Sequence, residues 1–131
     1  MILGINHLTF SVQNLNDSVD FYVKNLDAKL LYLEKKTAYL ELAGIWIALN
    51  QEDIPRNEIK FSYTHTAFTI KEEEVQFWYN KLTQNNVKIL NGRKRHSEER
   101  RSIYFEDPDG HKLELHTGTM KERINFYEKK T

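Results

Sequence analysis

Three side chains in this sequence stand where they could share one divalent metal ion: His7, His65 and Glu114. Two neutral imidazoles and a carboxylate are a donor set that catalytic metal sites use, and it leaves coordination positions open for water or substrate. A lone strand histidine is more often a surface or core residue than a ligand. What raises these two is their surroundings. Ile5-Asn-His-Leu-Thr-Phe-Ser-Val is echoed by Tyr63-Thr-His-Thr-Ala-Phe-Thr-Ile, which matches His7 with His65, Phe10 with Phe68 and Val12 with Ile70. Strand alternation then puts His7, Thr9 and Ser11 on one face, His65, Ala67 and Thr69 on the equivalent face, and Lys112, Glu114 and His116 on one face of the last strand.

The elements that must position these groups repeat as well. After each histidine strand comes an amphipathic helical pattern, first Leu15, Val19, Tyr22, Val23 and Leu26, then Val75, Trp78, Tyr79 and Leu82. Asn14 or Asn16 can cap the first helix, and Asn25 and Asn85-Asn86 are candidate left-handed stops. Each half returns to strand, as Ala38-Tyr-Leu-Glu-Leu-Ala-Gly-Ile-Trp-Ile-Ala-Leu-Asn and as Ile103-Tyr-Phe-Glu-Asp-Pro-Asp-Gly-His-Lys-Leu-Glu-Leu-His. Aligning these pairs Tyr39 with Tyr104, Gly44 with Gly110, Ala48 with Glu114 and Asn50 with His116. The first half therefore has alanine where the second has its acid, and that side is open for substrate.

The expected architecture is α+β, one domain over 1–131 with half-modules of about 1–56 and 57–118, a polar linker from Gln51, and a C-terminal helix over 119–128 marked by Met120, Ile124 and Tyr127. His96 and His111 read as surface residues, and His116 as a group standing behind the ligands. The run Arg93-Lys-Arg-His-Ser-Glu-Glu-Arg-Arg holds five cations in a loop leading into a site strand, where an arginine fork could bind a phosphate or phosphonate.

Composition removes several function classes. The 131 residues contain no cysteine, which excludes a disulfide framework, a thiolate zinc site and a protein thiol nucleophile. If thiol chemistry occurs, the thiol is a substrate. Lysine plus arginine and aspartate plus glutamate both number 19, so no global field draws the chain to nucleic acid or an anionic membrane. With no signal-like start and no membrane-length apolar run, the expected location is the cytoplasm.

The stretches INHLTFSV, AYLELAGIWIALN, IPRNEI with SYTHTAFTI, and SIYFEDPDGHKLELHTGT closely resemble fosfomycin resistance transferases of the vicinal oxygen chelate (glyoxalase-like) superfamily, nearly end to end. The likeness is strongest to the metallothiol transferase branch (FosB type) of Gram-positive bacteria. That resemblance implies paired βαβββ modules in a module-exchanged homodimer, in which His7 of one subunit completes a site holding His65 and Glu114 of the other. It implies one Mn2+ or Mg2+ per site, and bacillithiol or L-cysteine as the thiol that opens the epoxide. Carried over by position, Thr9, Tyr39, Trp46, Asn50, Arg93, Tyr104 and Arg123 surround fosfomycin, with Thr9, Tyr39 and Glu114 as the catalytic set. Many members of the branch carry cysteine where this chain has Thr9, whose hydroxyl can donate to the oxirane oxygen. The rival expectations are a glyoxalase-like isomerase, an Fe(II) ring-cleaving dioxygenase, and a drug-sequestering binding protein.

Overall fold

The structure is a computed structural model that describes residues 1–57, 62–92 and 96–130. The chain divides into two compact units, Met1–Phe61 with Pro108–Gly110, and Ser62–Asp107 with His111–Thr131.

The first unit runs β1 (His7–Val12), α1 (Leu15–Leu26), β2 (Lys29–Leu33), β3 (Thr37–Leu42) and β4 (Ile45–Gln51), in a sheet of order β1-β4-β3-β2. The second runs β5 (His65–Thr69), a 3-10 turn at Glu72–Glu74, α2 (Val75–Gln84), β6 (Ile89–Leu90), β7 (Ser102–Glu106) and β8 (Lys112–His116), in the order β5-β8-β7-β6, and ends in α3 (Met120–Lys130). Both are βαβββ modules whose first and last strands pair in parallel while the remaining pairs are antiparallel. The expected α+β fold of two such modules is what the chain adopts.

Helix α1 starts where Asn14 Oδ1 accepts the Asp17 amide at 3.0 Å, satisfying one of the donors that a helix start leaves open. Leu15, Val19, Tyr22 and Leu26 form its buried stripe, but Val23 lies outside it, 40% exposed. The stop is Asp27 at φ 57°, not Asn25, which is helical and buried. Leu26 must complete the apolar stripe before the backbone can turn left-handed, and Ala28 then donates back to Tyr22 O at 3.1 Å. In α2 the left-handed stop is Asn86, at φ 59°.

The strand register matches the two halves as the repeat requires. Tyr39 pairs with Ala48 and Tyr104 with Glu114 across β3–β4 and β7–β8; Thr9 and Ala67 flank the same positions from β1 and β5. Both hairpins turn through positive φ, at Ala43-Gly44 (51° and 80°) and at Gly110 (90°); at the two glycines the lack of a Cβ removes the steric cost. In the second, the Asp107 carboxylate accepts the His111 amide at 2.9 Å.

Two edge strands were not visible as patterns. All five residues of β2 are exposed, and β6 is only two residues long. In helix α3, Met120, Ile124 and Tyr127 are all exposed. Its attachment is polar: Thr119 and Glu122 form a reciprocal capping box (Thr119 N to Glu122 Oε1 3.0 Å, Glu122 N to Thr119 Oγ1 3.2 Å), and Tyr127 donates to Glu99 at 2.6 Å. Among the described residues, no helix is long and apolar enough to cross a membrane.

The core of the first unit centres on Val12, Tyr22, Leu40, Ile47 and Leu49, and that of the second on Leu82, Phe105 and Leu113, all fully buried. Leu113 anchors the strand that carries Glu114 on its other face. Leu113→Ala, which leaves a cavity beneath β8, is expected to cost about 2–5 kcal/mol of stability, read as a lower urea midpoint.

Candidate metal centre

In the second unit, β8 and β5 lie side by side and bring Glu114 and His65 together, with Glu114 Oε1 3.1 Å from His65 Nε2. The proton inventory makes this contact informative. His65 Nδ1 is 2.7 Å from the Tyr63 carbonyl oxygen. A carbonyl only accepts, so Nδ1 carries a proton, and in the neutral ring Nε2 then presents a lone pair. A lone pair facing a carboxylate oxygen at 3.1 Å is repulsive unless a proton or a metal ion lies between them. The same separation suits neighbouring ligands held about 2.1–2.2 Å from one ion and about 90° apart. The pair therefore fits a divalent cation by chemistry and by spacing.

Glu114 is only 4% exposed, and a buried carboxylate needs partners. Its second oxygen, Oε2, accepts from Ser102 Oγ at 2.5 Å and lies 3.4 Å from His116 Nδ1. Ser102 also sits 2.7 Å from that same nitrogen, and His116 Nε2 is 3.2 Å from Arg123 Nη2. Tyr104, paired with Glu114 across the sheet, is buried, its ring edge-on to His65 (centroids 5.6 Å apart) and its hydroxyl 3.4 Å from that of Tyr63.

In the first unit, His7 lies at the exposed start of β1. Its Nδ1 is 2.7 Å from Asn6 Oδ1, an arrangement that again leaves Nε2 as the nitrogen for a ligand. Trp46 packs on the His7 ring at 4.4 Å and meets Tyr39 edge-on at 5.2 Å, giving a small aromatic wall beside the imidazole. Asn50 accepts from Thr37 Oγ1 at 3.2 Å, and Thr9 is exposed on β1 next to Ala48. Among the described residues of one chain, no group of three His, Asp or Glu side chains is arranged to hold a metal; the pair His65–Glu114 is what the fold of the second unit assembles.

Arg93, with Lys94 and Arg95, falls outside the described residues. Of the remaining cations in that loop, Arg100 is engaged by Glu122 (Nε to Oε2 3.0 Å), a hydrogen bond that holds the Glu122 carboxyl below the ordinary carboxylate range and raises the guanidinium. The loop also contains a 3-10 turn, Ser97–Glu99. His96 is exposed, but it is more than a surface residue, because its Nδ1 accepts the Glu98 amide at 3.2 Å and its ring stacks on Phe126. His111 is half-buried rather than exposed.

Two residues with clear roles escaped the reading of the sequence. Ser102 appears as one serine among several until the register sets it across from His116. Arg56, inside the polar linker, donates to Ser11 O and Oγ at 3.0 and 2.8 Å and lies 3.5 Å from Asp109, in a side chain only 12% exposed. Nothing in its local sequence marks it, since its partners come from distant segments.

A family model described as the Glyoxalase/Bleomycin resistance protein/Dioxygenase superfamily matches residues 4–115. A protein of Staphylococcus saprophyticus named "Metallothiol transferase FosB" is 56% identical over 129 residues, spanning 98% of this chain and 85% of that protein. One of the same name from Bacillus licheniformis is 56% identical over 128 residues, spanning 97% and 83%. Among solved structures, the genomically encoded fosfomycin resistance protein FosX from Listeria monocytogenes, complexed with Mn(II) and sulfate ion, superposes with a TM-score of 0.88 at 35% identity, covering 97% of this chain and 99% of that one. FosX from Mesorhizobium loti gives a TM-score of 0.79 at 32% identity, covering 95% and 99%. These relatives favour the transferase expectation over the isomerase, dioxygenase and sequestering ones. With a family model matched over most of its length and identities above one half to proteins it spans almost completely, this chain belongs to the glyoxalase/bleomycin resistance protein/dioxygenase superfamily and, within it, to the FosB metallothiol transferase family.

Proposed function

We propose that this protein is a metal-dependent thiol transferase that inactivates fosfomycin, joining the sulfur of bacillithiol or L-cysteine to an epoxide carbon. The observation that carries the reading is the His65 Nε2–Glu114 Oε1 pair at 3.1 Å, with the Nδ1 proton of His65 committed to Tyr63 O, in a chain 56% identical to named metallothiol transferases. His65 and Glu114 hold the divalent ion together with His7 of a second subunit, in a module-exchanged homodimer. The FosX structure with Mn(II) supports a divalent metal, and Mn2+ or Mg2+ is the ion assigned here. When bound, such an ion supplies Lewis-acid stabilisation of the negative charge that develops on the epoxide oxygen.

The chain's own groups do the rest. In the reaction a C–S bond forms as one C–O bond of the ring breaks, and the thiol proton ends on the opened oxygen. Thr9 donates a hydrogen bond to the oxirane oxygen, where charge grows. Tyr39, edge-on to Trp46, stands as the group that helps the incoming thiol give up its proton. Arg93 and Arg123 offer guanidinium forks to the phosphonate, while Trp46, Asn50 and Tyr104 wall the site and exclude water. With no cysteine in the chain, the nucleophile is the bound thiol and no mixed disulfide with the protein can form. The cytoplasm, where small thiols stay reduced, is the compartment that suits this chemistry.

Incubation of the protein with fosfomycin and Mn2+, with bacillithiol, L-cysteine and glutathione supplied separately, is expected to give a bacillithiol adduct by mass spectrometry. The adduct should vanish with EDTA and in Glu114→Ala. Absence of adduct with every thiol, despite bound Mn2+, would overturn the assignment. Module exchange makes a separate prediction. His7→Ala and Glu114→Ala proteins, each inactive alone, should regain about a quarter of the parental activity after subunits are mixed at random, because half of the dimers then carry one intact site of two. No regain after verified subunit exchange would place all three ligands in one chain. Thr9→Val removes one hydrogen bond made as the ring opens, and kcat/KM should fall about tenfold while Mn2+ affinity is retained.

A further inference from the structure

The polar groups behind Glu114 form a chain whose direction is set from one end. Arginine has donors only, so in the 3.2 Å contact between Arg123 Nη2 and His116 Nε2 the arginine donates and the ring nitrogen accepts. An imidazole that accepts at Nε2 carries its proton on Nδ1. That nitrogen lies 2.7 Å from Ser102 Oγ and donates to it. Ser102, having accepted from His116, directs its single proton at Glu114 Oε2, 2.5 Å away. Every link therefore runs the same way, from Arg123 through His116 and Ser102 to one oxygen of the buried acid.

We infer that Arg123, His116 and Ser102 are positioning residues for the metal site: they hold Glu114 by Oε2 and so keep Oε1 turned toward His65 before any substrate arrives. This rests on the metal reading above, and it gives Arg123 a task besides contact with the phosphonate. The first module supplies an internal comparison. Its equivalent positions are Thr37 and Asn50, also hydrogen-bonded across the sheet at 3.2 Å, but the position matching Glu114 is Ala48. There the threonine proton goes to the Asn50 oxygen, and no acid waits beyond it. Only the module that carries the acid has a donor at every link. The arrangement of α3 serves the same end. The helix buries none of its residues, yet the Thr119–Glu122 capping box sets its start at Met120, one turn before Arg123.

The test measures Mn2+ binding by electron paramagnetic resonance of the substrate-free, full-length protein, with no fosfomycin or thiol present. Ser102→Ala is expected to weaken Mn2+ affinity about tenfold, within the range that groups behind metal ligands command; Ser102→Thr, which keeps the hydroxyl, restores it. Arg123→Met should also weaken the ion several-fold and Arg123→Lys less so, whereas an arginine that only grips phosphonate would leave substrate-free Mn2+ affinity unchanged. In 15N spectra His116 should be the Nδ1–H tautomer in the parent and lose that preference in Arg123→Met. Parental Mn2+ affinity in both Ser102→Ala and Arg123→Met, or an Nε2–H tautomer of His116 in the parent, overturns the inference. Glu114→Gln and His65→Ala separate the two levels: if they lose Mn2+ while Ser102→Ala does not, only the positioning chain fails, and if they keep it, the metal reading fails and takes the chain with it. Circular dichroism confirms that each variant is folded.

Discussion

A buried carboxylate oxygen facing an imidazole lone pair at 3.1 Å cannot be left as it stands; the contact needs a proton or a metal ion between the two groups. Glu114 sits mid-strand, between Leu113 and Leu115, both buried on the opposite face. Its side chain is kept out of water by Tyr104 across the sheet and approached by His65 from the parallel neighbour. The hydroxyl of Ser102 meets its second oxygen, donating to Oε2 at 2.5 Å. What remains, on the Oε1 side, is an acceptor and a nitrogen lone pair directed at the same space.

The repeat makes most of this fold legible in the sequence alone. Period-two alternation around His7 and His65, two helical stripes of equal spacing and two glycine turns fix the order of elements and even the register, so that Tyr39–Ala48 and Tyr104–Glu114 emerge as equivalent pairs. What stayed hidden lies where local sequence carries no periodic signal. An edge strand such as β2 has one neighbour and little burial, so Lys29-Leu-Leu-Tyr-Leu shows no alternation to recognise. The helix stop moved from Asn25 to Asp27 because completing the buried stripe outweighed the preference of asparagine for the left-handed region.

The site was legible to the same degree and for the same reasons. His65 and Glu114 declared themselves through the repeat and through facing parity, which are properties of strands. Ser102, His96 and Arg56 did not, because each acts through contacts whose partners lie many residues away or through a cap of its own turn. A serine gains meaning only when the register puts it beside a carboxylate and a histidine, and no spacing rule within a single strand predicts that.

The two modules share a backbone plan but not a burden. Ala48 and Glu114 occupy matching positions at the same 4% exposure, yet burying a methyl group is favourable while burying a carboxylate is costly unless every lone pair is met. A duplicated unit that converted alanine to glutamate at that position would gain an unsatisfied charge and lose stability. The change becomes tolerable only with partners already to hand: a serine in place of Thr37, a histidine in place of Asn50, and a neighbouring imidazole able to share a cation. Seen this way, the asymmetry between the halves is a linked set of substitutions on adjacent strands. The polar pair in the first module, Thr37 with Asn50, closes on itself and asks nothing of its surroundings, whereas the pair in the second opens toward Glu114 on one side and Arg123 on the other. That opening ties a C-terminal helix that buries none of its described residues to Glu114, through three hydrogen bonds that all point one way.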